Sequence, residues 1–207
     1  MQPEPMTLRE RQRLEVTAAI HDAAAELLLD HGWTATTVDK IAAKVGISNR
    51  TFFNHFATKE DAALGLRPLH VPVEARTAFL ASDADLLERV VLLTMSVLRT
   101  VTPDDGLNDR RTVLLRMVPE LRARVKYFSV TAGELIEPIL VGELEQNQPL
   151  NTLLDYDDVR DAAAALRMLA GTIIRFAFTQ HQDAFSVTPD STLRKAIETF
   201  RKVIKTS

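Results

Sequence analysis

Residues 36–56, TTVDKIAAKVGISNRTFFNHF, constrain this chain more than any other stretch, because they specify two short helices joined at a tight turn. Thr37 is placed to cap the first helix, Gly46 interrupts it, and Ser48 is placed to cap a second that reaches Phe56. Ile41, Val45 and Ile47 supply a small core, Ala42 leaves room for a close crossing, and Gly46 can take the left-handed conformation that the turn requires. Phe52 and Phe56, one helical turn apart, lock the second helix onto that core. The same geometry leaves Asn49, Arg50, Thr51, Asn54 and His55 to solvent, all of them able to hydrogen-bond base edges or phosphates in a major groove.

Charge has to be weighed locally. The net charge of −3 over 207 residues gives no global sign of a nucleic-acid partner. From Thr36 to Lys59, however, Lys40, Lys44, Arg50 and Lys59 stand against Asp39 alone, a local +3, and Arg9, Arg11 and Arg13 precede it. These three arginines read equally as a solvated tail or as an arm in the minor groove or on phosphate.

Helical periodicity continues on both sides. A long helix is predicted from about Leu8 to Asp30, with Val16, Ile20, Ala23 and Leu27 on one face, stopped by His31-Gly32. Thr58 with Asp61 reads as the cap of a fourth helix, which Pro68 and Pro72 break or kink, leaving residues 67–73 as a hinge or connector. An apolar helix starting at Ser82 or Asp83 and running to about Val101 belongs at the centre of a bundle. A shorter helix then carries Leu114, Leu115 and Val118. Pro119 opens a long helix with a kink expected at Pro138, and two more helices follow a loop at 147–156. The expectation is an all-α chain of about nine helices, with no convincing strand, repeat or low-complexity segment.

Several chemistries find no support. There is no cysteine, so disulfides, thiolate zinc sites and cysteine nucleophiles are excluded. The five histidines are scattered, no phosphate-binding or nucleophile-elbow motif occurs, and neither an enzyme, a metal site nor a cofactor is expected. No apolar run of membrane-spanning length was found and no apolar segment follows the N-terminal basic residues, so a cytoplasmic protein without a membrane partner is expected.

The capped TT-x-x-x-IA helix, the Gly turn and the short aromatic-rich helix followed by Lys are Thr36, Thr37, Ile41, Ala42, Gly46, Ser48, Thr51, Phe52, His55, Phe56 and Lys59 here. In these residues the chain resembles the tetracycline-repressor (TetR) family of bacterial regulators, specifically over about residues 8–65. The resemblance implies a three-helix helix-turn-helix DNA-binding domain, residues 1–58. A larger helical bundle for effector binding and dimerisation, residues 59–207, is implied to follow. It implies a repressor that binds a near-palindromic double-stranded DNA operator as a homodimer and is released by a small-molecule effector. A helical protein-interaction adaptor is the alternative, with an enzyme behind it.

Carried over by position, the DNA-binding set is Thr37, Lys40, Asn49, Arg50, Thr51, Phe53, Asn54, His55 and Lys59. Thr37 is placed at phosphate, Thr51 and His55 face DNA, and Lys59 anchors the backbone. Phe53 stands where the family commonly has Tyr, which exchanges a phenolic hydroxyl for apolar contact. Arg50 stands where a small residue is common and is able to pair with guanine. The effector pocket implied by the resemblance draws on Met95, Arg99, Arg116, Met117, Tyr127, Phe128, Thr131, Arg175 and Phe176. Arg116 and Arg175, within otherwise apolar helices, suit an anion such as an acyl thioester or carboxylate, or else snorkel or pair with a local acid such as Glu120. Leu166, Ala170, Ile173, Leu193, Ile197, Phe200 and Ile204 form stripes that serve either as a dimer seam or as internal core.

Overall fold

The computed structural model describes residues 7–102, 107–146, 156–179 and 190–206. They form α1 (Leu8–Ala35), α2 (Val38–Val45), α3 (Asn49–His55), α4 (Lys59–Leu64), α5 (Val73–Ala81), α6 (Leu86–Arg99), α7 (Asn108–Met117), α8 (Glu120–Gln146), α9 (Tyr156–Thr179) and α10 (Asp190–Thr206), with no strand among the described residues. The chain divides into two compact units. One holds α1–α4, α7 and α8 as far as Arg124; the other holds α5, α6, α9, α10 and the rest of α8. Residues 59–64, assigned from sequence to the C-terminal domain, therefore fall as α4 in the first unit, where they pack on α1.

Among the described residues, α5 is the helix that the periodicity does not predict. Pro72 does not only break the preceding helix: it stands at the N-cap of α5 with φ −60°, a place that costs no backbone hydrogen bond. The stop expected at His31-Gly32 is visible as non-helical backbone at Gly32, φ 75° and ψ 176°, which interrupts α1 before its last turn. One other boundary shifts: Asp85 caps α6, its side chain accepting from the Glu88 N–H at 3.2 Å. The loop expected at 147–156 lies almost wholly outside the described residues.

In the first unit, Ile20, Ala24, Leu27 and Leu28 of α1 are buried together with Ile41, Phe52, Phe56, Ala62, Leu64, Leu114 and Leu121. In the second, α6 packs on α5, α9 and α10 and buries Val90, Val91, Leu93, Met95 and Val97, the central position expected of it. Ile136, Leu140 and Leu144 of α8 and Val159, Ala163, Ala170, Ile173 and Ala177 of α9 complete that core. By length and composition the Asp158–Thr179 stretch is apolar enough to cross a membrane, and its buried positions face α6 and α10.

Candidate DNA-binding surface

The turn between α2 and α3 is built from local chemistry. Thr37 accepts from the Lys40 N–H at 3.3 Å and Ser48 from the Thr51 N–H at 3.1 Å, satisfying amides that each helix start would leave bare. Gly46 sits at φ 78°, ψ 31°, and its left-handed turn lets the Ile47 N–H reach Ala42 O at 3.0 Å, closing the end of α2. Phe52 is fully buried and Phe56 nearly so, their rings 6.3 Å apart, which fixes the roll of α3.

That roll decides what α3 shows to solvent. Asn49, Arg50, Phe53 and Asn54 are exposed, Phe53 to 56% although its ring edge packs on Phe52 at 5.4 Å. More than half of this aromatic surface is therefore left open by the packing on Phe52. Thr51 is half-buried, with its hydroxyl 2.9 Å from Ser48 Oγ, and the Asn49 amide donates to Asp39 of α2, a bond that sequence periodicity could not reveal.

His55 faces α1 as well as solvent. Its Nδ1 lies 2.8 Å from the Thr17 hydroxyl, which donates its own proton to Arg13 O at 2.8 Å. The Thr17 oxygen therefore accepts from His55 Nδ1–H, which leaves Nε2 as the acceptor of the neutral ring. Burial first, and the positive charge of Arg13 second, push the His55 pKa below the ordinary imidazole value.

The cations divide into two groups. Lys40 Nζ donates to Ala35 O at 2.8 Å, while Lys59 Nζ donates to Trp33 O and Thr36 O, both at 2.9 Å, and lies 3.8 Å above the Trp33 ring. Both thus serve the carbonyl end of α1, where positive charge is favoured. Lys44 pairs with Glu26 at 2.7 Å. Arg50 alone of these four makes no side-chain hydrogen bond or ion pair among the described residues. It is therefore the cation of this stretch left available to an incoming ligand.

Residues 20–63 match the family model for bacterial regulatory proteins of the tetR family. They form a TetR-family domain. The HTH-type transcriptional regulator TcmR of Streptomyces glaucescens is 44% identical over 57 residues, which span 28% of this chain and 25% of TcmR. The fatty acid metabolism regulator protein of Bacillus subtilis is 25% identical over 162 residues, 74% of this chain and 77% of that protein. The solved fatty acid degradation regulator FadR of Bacillus halodurans aligns at 15% identity and a TM-score of 0.38, covering 87% of this chain and 92% of its own. The TetR-family domain thus coincides with the part of the chain that holds α2, α3 and their caps.

The residues expected to line an effector pocket are differently placed. Met95 and Phe128 are buried, Thr131 and Phe176 half-buried, and Arg116, Met117, Tyr127 and Arg175 exposed. Arg99 pairs with Asp190 at 2.8 Å, and the Phe176 ring packs edge-on against Phe200 at 5.6 Å. Of the expected dimer seam, Ala170, Ile173, Leu193 and Ile197 are buried within the second unit's own core. This corrects the seam for those four: a side chain already enclosed by its own chain has no surface left for a partner. Leu166 and Phe200 are half-buried, and Ile204 is 58% exposed.

Proposed function

We propose that this protein is a DNA-binding transcriptional regulator, a repressor that docks α3 in the major groove of a near-palindromic operator. The observation that carries the reading is the outward face of α3. Asn49, Arg50, Phe53 and Asn54 are held there by a buried Phe52/Phe56 pair, and Arg50 has no side-chain partner among the described residues to give up on binding. Arg50 pairs with guanine, Asn54 hydrogen-bonds a neighbouring base edge, and Phe53 meets a thymine methyl. Thr37, Thr51 and His55 lie at the edge of this face, while Lys40 and Lys59 brace the end of α1.

Two copies act together. One α3 offers few contacts, and doubling them supplies affinity that one helix lacks. The apolar surface left open on the second unit supports the pairing: Met168 on α9 is 69% exposed, Val203 and Ile204 on α10 are 59% and 58% exposed, and Ala165 and Gly171 flank Met168 with small side chains. A small-molecule effector releases the dimer. The relative named for fatty acid metabolism supports acyl thioesters and carboxylates as the first class to screen.

The test is a mobility-shift titration with the DNA upstream of the protein's own gene. Binding is expected to weaken steeply with salt and to be abolished by combining Arg50→Ala and Thr51→Ala. Absent or salt-insensitive binding would overturn the reading in favour of a protein-binding adaptor. A thermal-shift screen of acyl anions, read as a rise in unfolding temperature, tests the effector class.

A further inference from the structure

From its amino-terminal edge α1 runs for two turns without cover. Every residue from Thr7 to Glu15 is exposed, Leu8 to 69% and Leu14 to 48%. A helix end with nothing packed on it tends to fray, yet this one is held by a reciprocal cap. Thr7 Oγ1 accepts from the Glu10 N–H at 3.2 Å, and the Glu10 carboxylate accepts from the Thr7 N–H and hydroxyl, each at 2.8 Å.

The direction of the arginines follows from helical geometry. α1 buries Ile20, Ala24, Leu27 and Leu28. Carried back at 3.6 residues per turn, that face passes through Thr17, Arg13 and Arg9. Thr17 meets His55 at the end of α3, and Arg13 is close enough for its charge to act on that ring. Arg9 and Arg13 thus continue, past the rim of the domain, the side of α1 on which α3 ends. Arg11 falls on the opposite side with Glu15. The two aligned guanidinium groups root about 6 Å apart along the axis, a separation suited to neighbouring phosphates of one strand.

We propose that Arg9 and Arg13 form a phosphate grip that extends the DNA-contacting surface beyond α3, and that Arg11 takes no part in it. The grip rests on the DNA-binding reading above. It adds affinity that is indifferent to base sequence, because phosphate contacts position a protein without reading bases.

Full-length protein is titrated with the upstream duplex and with a random duplex of equal length over a series of salt concentrations. Combining Arg9→Gln with Arg13→Gln is expected to weaken both duplexes by the same factor and to lower the log–log salt slope by about 2 per protomer. Arg11→Gln is expected to leave both unchanged, and combining Arg9→Lys with Arg13→Lys to keep the wild-type slope. Far-ultraviolet circular dichroism of the variants verifies that α1 persists. A wild-type slope in the double glutamine variant overturns the grip, as does an equal loss from Arg11→Gln, which would mark a diffuse charge effect. In either case a wild-type protein that still shifts the duplex leaves the DNA-binding reading intact. A wild-type protein that binds neither duplex overturns both.

Discussion

The Asp61 carboxylate accepts two parallel hydrogen bonds from Arg124, Nε to Oδ1 at 2.6 Å and Nη2 to Oδ2 at 2.7 Å. Asp61 lies in α4 and is almost wholly buried, and Arg124 is the last residue that α8 gives to the first unit. Removing the guanidinium strands a buried carboxylate, whereas removing both charges does not. Arg124→Met is therefore expected to cost about 3 kcal/mol. Adding Asp61→Leu is expected to recover most of that loss. Urea denaturation followed through Trp33 fluorescence measures both.

Lys59 stitches the start of α4 to the end of α1 through Trp33 O and Thr36 O, with its ammonium over the Trp33 ring. Two charge-assisted bonds and a cation–π contact are together worth about 2 kcal/mol in a half-buried setting. Lys59→Met is expected to lose about that much stability and to shift Trp33 emission. A role at phosphate alone predicts unchanged stability with weaker DNA binding, so the two measurements separate bracing from contact.

The parts of this surface that were legible in the sequence are those governed by local chemistry. Thr37, Ser48 and Thr58 cap α2, α3 and α4 as expected, because a cap depends on residues within three positions. Phe52 and Phe56 face inward for the same reason. The fates of Lys40, Lys44 and Lys59 were not legible, because their partners, Ala35 O, Glu26 and the carbonyls of Trp33 and Thr36, lie on α1 or just past its end and meet them through folding. The stripes of α9 and α10 show the same limit: periodicity marks Ala170 and Ile197 as facing something apolar, and only packing shows that it is their own chain.

His21 makes stability depend on pH. Its Nδ1 lies 2.8 Å from Ala62 O, while Nε2 is buried without a hydrogen-bond partner among the described residues. Burial chiefly lowers its pKa below 6.5, and the charges of Arg111 and Arg110 act in the same direction against the Ala62 carbonyl and Asp22. The unfolded chain takes up this proton as pH falls through 6.5 while the folded chain resists it. The stability is thus complete above that pH and declines below it. His55 shifts in the same sense. The urea midpoint is expected to drop between about pH 7.5 and about pH 5.5, and His21→Gln is expected to shrink that drop to the share left by His55.

Gly65 ends α4 at φ 62°, with the Leu66 N–H bonded to Asp61 O at 2.8 Å. A Cβ at this position would stand 3.2 Å from Arg111 Nη2 and 3.2 Å from two atoms of the His21 ring. Neither neighbour is free to withdraw. His21 is tied to Ala62 O, and Arg111 is fully buried with its Nε donating to Leu64 O at 2.8 Å. Gly46 has a similar dihedral, φ 78°, but nothing within 4 Å of its would-be Cβ. Gly46→Ala is therefore expected to carry the left-handed cost alone, about 1 kcal/mol. Gly65→Ala adds an overpacked contact and is expected to reach about 3 kcal/mol. Paired urea curves give the difference; equal losses at the two glycines would mean that the His21–Arg111 wall yields.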